Sequence, residues 1–134
     1  MIKKNLNKYL INENENILGA SIAIKNNQSR SLLVTKKKKI LGVISEGDIL
    51  NSLIEQKSIY TKIINLYQKD LKYLTSENLF LAFNLLKKFG ISLIPVLSKN
   101  FTLKGIYTEN YILRKIKIND SHSTYKSRFK KIKK

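Results

Sequence analysis

A hydroxyl and a carboxylate stand three residues apart where an apolar stretch runs into a helical pattern. In the segment GVISEGDIL, residues 42–50, Ser45 follows two β-branched residues and Asp48 precedes a further apolar pair. Ser-x-x-Asp before an apolar run is the pattern of a capping box, in which each side chain accepts a hydrogen bond from the main-chain N–H of the other residue. Both residues therefore have a structural role at a helix N-terminus, and the pattern leaves open whether they also hold a ligand.

Residue types that usually carry catalysis or bind metals are scarce. The 134-residue chain has no cysteine, nine acidic residues and one histidine, His122. Disulfides, thiolate chemistry and cysteine metal sites are therefore excluded, and the scattered acids form no metal pattern. No Gly-rich phosphate loop appears, and Ser45 has no histidine partner nearby in the sequence. The sequence predicts a protein that is not an enzyme, with no catalytic residues and no metal site.

The N-terminal segment and the cysteine usage bear on location. The chain starts with a basic stretch, but Glu13 and Glu15 interrupt it before the apolar part. That is a poor signal peptide, and no apolar run approaches the length of a membrane span. A cysteine-free chain suits a reducing compartment. We therefore expect a cytoplasmic protein with no membrane contact.

The net charge of +17 raises the question of nucleic-acid binding. Of the 26 basic residues 23 are lysine and three are arginine, whereas arginine is the residue that grips phosphates and guanines bidentately. Lys, Ile and Asn are the residues that AT-rich codons encode, and all three are abundant. Much of the positive charge is therefore attributed to codon bias, with the lysines on solvent-exposed faces. Nucleic acid is therefore an unlikely partner, although lysines cluster at residues 36–39 and 125–134.

The chain repeats its pattern after 62 residues. Residues 17–34 coincide with residues 79–96, and beyond a second turn that is one residue longer the shift becomes 63. At that shift Ser45 falls on Thr108 and Gly42 falls on Gly105. The apolar positions that open each copy have helical spacing, and two short extended runs then form a hairpin before a last helix.

The repeat predicts two strand–helix–strand–strand–helix copies, an α+β fold in which each copy covers the apolar face of the other. Expected bounds are 5–58 for the first copy, 59–70 for a linker with a helical turn near 61–66, 71–118 for the second copy, and 119–134 for a basic, poorly ordered tail. Opening strands are expected at 8–11 and 71–74, and helices at 17–27, 46–57, 79–89 and 109–118. The expected core consists of Ile17, Ala20, Ile24, Val34, Val43, Ile44, Leu79, Ala82, Leu86, Val96 and Ile106.

These residues resemble a cystathionine-β-synthase (CBS) domain pair, also called a Bateman module. The resemblance covers residues 5–118. It rests on two tandem copies of the same order, in which a helix and a hairpin lead into the motif Gly-h-h-[Ser/Thr]-x-x-[Asp/Asn], where h is apolar, and then into a second helix. The segment LLVTKKKKILGVISEGDIL matches the family pattern closely. The linker and the GDIL phrase are most similar to CBS pairs fused to sugar-phosphate nucleotidyltransferases. The resemblance implies two βαββα motifs packed with pseudo-twofold symmetry.

The family implies a regulatory, non-catalytic module that binds AMP, ADP, ATP or S-adenosylmethionine between its two copies, as a ligand rather than as a cofactor. Asp48 would accept from the ribose hydroxyls, and Ser45 would contact ribose or phosphate. Ser31, Leu32 and Leu33 would offer main-chain groups to the base, and Ile44 and Thr108 complete the expected ligand-binding set. The helix N-terminus beside Ser45 favours a phosphate.

The second copy departs from the motif, because Tyr111 stands where the aspartate should be. A tyrosine can stack or hydrogen-bond, but it cannot replace a carboxylate. We therefore expect one adenosyl site per chain and a second cleft that is degenerate or filled by Tyr111.

Two partners beyond the ligand are expected. Apolar residues in the helices after each hairpin favour a homodimer, and a fused or interacting catalytic domain would be the regulated partner. The alternatives are a structural dimerisation module with empty clefts and non-specific nucleic-acid binding through lysines.

Overall fold

The computed structural model describes the backbone of residues 1–123 and the side chains of residues 1–117. The first copy contains β1 (Leu10–Asn12), α1 (Ile17–Asn27), β2 (Ser31–Lys36), β3 (Lys39–Ser45) and α2 (Glu46–Ile54). The second contains α3 (Leu79–Phe89), β4 (Leu93–Leu97), β5 (Leu103–Thr108) and α4 (Glu109–Ser123). Short 3₁₀ turns lie at Leu6–Tyr9 and Ile63–Asn65.

The opening helices of both copies have the expected bounds. Asn16 caps α1 by accepting from the N–H of Gly19, and Asn78 caps α3 by accepting from the N–H of Leu81. Each helix then ends at a residue in the left-handed region, Gln28 in one copy and Gly90 in the other. The expectation of helices at 17–27 and 79–89 is confirmed.

The closing helices begin where expected and end elsewhere. The helix expected to end at 57 stops at Ile54, and the helix expected to end at 118 continues to Ser123. The first five residues of the expected tail, 119–123, are therefore helical, and residues 124–134 lie outside the described part of the chain.

Each copy contributes one antiparallel hairpin, and the two hairpins share the same register. Leu32 pairs with Ile44 in the first, and Ile94 pairs with Tyr107 at the equivalent position of the second. In the first copy β1 adds in parallel to β2, which gives a three-stranded sheet in the order β1-β2-β3. The second sheet contains only β4 and β5.

The opening strand expected at 71–74 is wrong, because the second copy keeps only a single bridge there. Leu74 donates to the carbonyl of Pro95 at 3.0 Å and accepts from the N–H of Leu97 at 2.8 Å. The next bond of a parallel ladder would need an N–H at Pro95, and proline has none. The equivalent residue of the first copy is Leu33, and the strand there extends over Leu10–Asn12.

The two copies pack against each other through a shared apolar cluster. It combines first-copy and second-copy residues, namely Tyr9, Leu33, Ile40, Leu93, Leu97 and Ile106. Each copy has a further cluster under its own helices. The arrangement is the α+β pair in which each copy covers the apolar face of the other.

Eight of the eleven expected core residues are buried. Val43, Leu79 and Leu86 are only partly buried. Along β3 burial alternates, so Ile44 faces the core while Val43 faces the opposite side. Leu79 and Leu86 pack on the second-copy cluster from the rim of α3. Within residues 1–123, none of the helices has the length and apolar character needed to cross a bilayer.

Candidate functional site

The first cleft lies between the two copies and has a volume of about 270 Å³. Ser31, Ser45 and Asp48, three of the expected ligand-binding residues, line it. The remaining lining residues are Arg30, Val43, Glu46, Gly47, Gln68, Phe89, Gly90, Ile91 and Ser92. This volume is slightly below the range of about 300–1,000 Å³ that is common for small-molecule sites.

Ser45 and Asp48 form the complete capping box at the start of α2. The Ser45 hydroxyl accepts from the N–H of Asp48 at 3.2 Å, and Asp48 Oδ2 accepts from the N–H of Ser45 at 2.9 Å. The hydroxyl of Ser45 also donates to Asp48 Oδ2 at 3.1 Å. The structural role expected from the sequence is therefore present.

The Asp48 carboxylate retains capacity for a ligand. Its second oxygen, Oδ1, accepts from the side-chain amide of Gln68 at 3.1 Å. A carboxylate offers about four acceptor positions, and the three side-chain and main-chain donors named here occupy three of them. Asp48 is only partly buried at the cleft wall. A hydroxyl group of a ligand could therefore donate to the Asp48 carboxylate while the hydrogen bonds of the capping box stay in place.

Ser31 lines the first cleft, and a contact between its main chain and a base stays a prediction. Its carbonyl accepts from the Asn27 side-chain amide at 3.0 Å, and its hydroxyl lies 3.3 Å from the hydroxyl of Ser92. Leu32, Leu33 and Ile44 are fully buried and are not among the residues that line the first cleft. Of this expected set, only Ser31 reaches the cleft.

The linker reinforces the wall of the first cleft. Gln68 pairs with Val43 through two main-chain hydrogen bonds of 2.9 and 2.8 Å. The neighbouring Tyr67 donates its hydroxyl to Glu13 at 3.3 Å, and burial, followed by the Glu13 charge, raises the pKa of Tyr67 above its ordinary value. These contacts position the Gln68 amide beside Asp48.

A second, smaller cleft of about 230 Å³ lies at the start of α4. Its lining residues are Gln28, Ser29, Arg30, Ser92, Glu109 and Asn110. Thr108 is buried beside it, and its hydroxyl accepts from the N–H of Tyr111 at 3.1 Å. Thr108 therefore caps α4 as Ser45 caps α2.

Contacts with Met1 and Tyr107 hold the Tyr111 side chain outside the second cleft. Its hydroxyl accepts from the amino group of Met1 at 3.0 Å, and its ring meets Tyr107 edge-to-face at 5.8 Å. Tyr111 is not among the residues that line the cleft, so the expectation that Tyr111 fills it is not met. The amino group of Met1 also donates to Glu77 at 3.0 Å, which lowers the pKa of that carboxyl.

The residues that sequence reasoning missed come from the opposite copy and the linker. Phe89, Gly90, Ile91 and Ser92 follow α3 and face the first-copy motif across the cleft. The shift of 62 residues makes Gly90 equivalent to Gln28 and Ser92 equivalent to Arg30. Two copies packed about a pseudo-twofold axis bring equivalent loops face to face, so the repeat could have predicted that these two loops meet at the cleft. Among residues 1–117, no group of three or more His, Cys, Asp or Glu side chains could hold a metal ion.

Comparison with known proteins matches part of the chain to one family. Residues 7–55 match the CBS domain family. No curated protein sequence matches the chain.

Solved structures share the fold at low sequence identity. A protein from Vibrio cholerae assigned to acetoin utilization (AcuB) has a TM-score of 0.76 and 19% identity, with 94% of this chain and 92% of that chain covered. The CBS domains of a transcriptional regulator from Streptococcus pneumoniae have a TM-score of 0.69 and 20% identity, with 84% and 93% covered.

A CBS domain protein from Pyrobaculum aerophilum, solved in complex with AMP, has a TM-score of 0.65 and 17% identity, with 78% of this chain and 88% of that chain covered. Structural similarity at 17–20% identity supports the fold alone. The family match covers residues 7–55. The chain therefore carries a CBS domain at residues 7–55 and has, over both copies, the fold of a CBS domain pair.

Proposed function

We propose that the chain is a non-catalytic regulatory module that senses an adenosine nucleotide or a related adenosyl compound in the first cleft. One observation carries the proposal: the Asp48 carboxylate lies at the wall of a cleft between the two copies, with acceptor capacity left after its capping bonds. The AMP complex of the Pyrobaculum aerophilum CBS protein supports the choice of ligand class.

The cleft offers a partner for each part of such a ligand. Asp48 can accept from ribose hydroxyls through charge-assisted hydrogen bonds. The main-chain N–H of Gly47, in the first turn of α2, favours a phosphate, whereas the N–H groups of Glu46 and Asp48 already donate to Arg30 and Ser45. The ring of Phe89, which is 48% exposed, provides an apolar surface for a base. Ser45 contributes an acceptor position, because its single proton already bonds Asp48.

A module of this kind acts through another protein. We therefore include in the proposal a catalytic domain, fused or separate, as the regulated partner, and a cytoplasmic location, where adenosine nucleotides are present. Thr108, the equivalent of Ser45, is assigned a capping role rather than a ligand contact, because it is buried.

A dimerisation module is the second candidate, and exposed apolar residues favour it. On α2 the exposed fractions are 59% for Leu50, 42% for Leu53 and 70% for Ile54, and on α4 the fraction is 46% for Leu113. Exposed apolar patches of this kind mark interaction surfaces. Dimerisation and ligand binding are compatible, so the two candidates are separated by a ligand titration.

The test measures ligand affinity and stability of the same variants. Asp48→Ala should weaken binding of AMP, ATP or S-adenosylmethionine about ten- to a hundred-fold, as loss of a charge-assisted hydrogen bond implies. Its loss of the cap should cost about 1 kcal/mol of stability. Asp70→Ala, which removes an exposed linker carboxylate, and Tyr111→Ala should leave the affinity nearly unchanged. If the unsubstituted protein shows no thermal shift with any of the three compounds at millimolar concentration, the proposal fails and the capping role alone stands.

A further inference from the structure

The two clefts share one cation. Arg30 and Ser92 line both clefts, and Arg30 is the only basic residue among the described residues that line either of them. The first cleft also contains the carboxylates of Glu46 and Asp48. A phosphate entering that cleft would meet two negative charges, and Arg30 is the side chain able to compensate them.

Arg30 is held at the junction of the two copies by its main chain. Its carbonyl accepts from the N–H of Glu46, the first residue of α2, at 3.0 Å. Ser92, the equivalent residue of the second copy, accepts in the same way from the N–H of Glu109, the first residue of α4. Each loop is therefore attached to the start of the last helix in its own copy.

The guanidinium of Arg30 crosses from one copy to the other. Its Nη2 donates to Glu109 Oε2 in a close ion pair, and the two side chains are 58% and 36% exposed. Glu109 lines the second cleft but not the first. The charge that a phosphate in the first cleft needs is therefore neutralised by a carboxylate in the second cleft.

An exposed ion pair of this kind is weak enough to be exchanged. Solvent screens its attraction, and measured exposed pairs contribute little to stability. A phosphate can bind a guanidinium through two parallel hydrogen bonds, which a partly exposed monodentate pair does not provide. Competition between the two anions for Arg30 would therefore favour the phosphate when it is bound nearby.

We propose that Arg30 selects ligands that carry a phosphate. A phosphorylated ligand in the first cleft breaks the ion pair between Arg30 and Glu109 and binds the Arg30 guanidinium in place of Glu109. The inference rests on the proposed function and deepens it, because it makes the site prefer nucleotides to nucleosides. It also gives Glu109 a regulatory role: the ion pair opposes nucleotide binding, and nucleotide binding releases the Glu109 carboxylate at the second cleft.

The experiment compares adenosine with AMP on four forms of the full chain: unsubstituted, Arg30→Gln, Glu109→Gln and the double variant. Arg30→Gln should weaken AMP about ten-fold or more, as loss of a charge-assisted bond implies, and leave adenosine unchanged. Glu109→Gln should tighten AMP about two- to five-fold, the range that an exposed pair allows, again without effect on adenosine. In the double variant the gain from Glu109→Gln should vanish, because there is no guanidinium left to release.

Glu46→Gln is the matched control, since Glu46 is the equivalent of Glu109 and lines the first cleft directly. Its effect on AMP should be the same with and without Arg30, as expected of simple charge removal. A Glu109→Gln gain that persists in the Arg30→Gln background would overturn the exchange, and so would an unchanged ratio of AMP to adenosine affinity in Arg30→Gln.

The outcomes separate this inference from the proposed function. If adenosine binds and depends on Asp48 but Arg30→Gln has no effect on AMP, only the exchange fails. If neither compound binds any form, both fail. NMR adds a direct readout: the resonances of Glu109 should shift with AMP and not with adenosine, and equal shifts with both would contradict the release of the Glu109 carboxylate.

Discussion

Gly42 lies so close to the main chain of Gln68 that a β-carbon at Gly42 would stand 2.2 Å from the Gln68 carbonyl oxygen. This approach is what allows Gln68 to pair with Val43 and to place its amide beside Asp48. Gly105, the equivalent of Gly42, has the same relationship to the first residues of the chain, where Ile2 pairs with Ile106. There the nearest atom would be the Met1 sulfur at 2.5 Å.

The two glycines should differ in their tolerance of alanine. Gly42→Ala meets the main-chain oxygen of Gln68 and the ring of Tyr67, so the strand must move, and we expect a loss of about 1–3 kcal/mol in the free energy of unfolding. Gly105→Ala meets the flexible end of a side chain, and the loss should be smaller. Urea denaturation of both variants measures the difference, and equal losses would contradict the argument.

The serine of the capping box should stabilise α2 independently of any ligand. Ser45→Ala removes the acceptor for the Asp48 N–H, and the free energy of unfolding should fall by about 1 kcal/mol. Ser76→Ala, at an exposed position in the loop before α3, serves as the control and should change stability by less than about 0.5 kcal/mol. Thermal and chemical unfolding without ligand are the measurements. Equal stabilities of the two variants would mean that the cap contributes nothing.

The exposed apolar residues of α2 should bury themselves in a homodimer. Light scattering should give twice the chain mass of 15.5 kDa, and Leu50→Glu combined with Ile54→Glu should return the protein to a monomer. Tyr60→Glu, at an exposed linker residue, should leave the dimer intact. Because the net charge of +17 opposes self-association, the dimer should tighten as salt rises. A monomer at tens of micromolar for the unsubstituted chain would refute the prediction.

Tyr107 should make the protein less stable at alkaline pH. The side chain is 2% exposed, and burial, followed by the charge of Glu77, raises its pKa above the ordinary value of 10.0. A raised pKa means that the folded state keeps a proton that the unfolded state loses, so stability is full below pH 10 and falls as the pH rises above it.

Tyr107→Phe should therefore flatten the decline in stability above about pH 10. Tyr73→Phe, at a 38% exposed position, should not. Unfolding followed across this pH range at constant ionic strength checks the contrast, and the loss of charge from lysines forms a common background in all variants. If the stability of Tyr107→Phe fell with pH as steeply as that of the unsubstituted protein, the Tyr107 hydroxyl would not be the cause of the decline.

The local pattern of the sequence determined the helices, the hairpins and the cap. Asn16 and Asn78 precede apolar residues at helical spacing, and each helix ends at a residue in the left-handed region, so bonds between near neighbours fix these elements. Ser45 and Asp48 form their capping box three residues apart for the same reason. The 62-residue shift also determined that there are two copies, and hence a cleft between them.

Only the tertiary structure decided which residues line that cleft. Phe89 and Ser92 reach the first-copy motif from the other copy, and Gln68 reaches it from the linker, through contacts between residues that are distant in the sequence. The same packing buries Leu32 and Leu33 and joins Arg30 to Glu109 across 79 residues. Periodicity records which face of an element is apolar, whereas the identity of the surface that meets it depends on how the two copies pack.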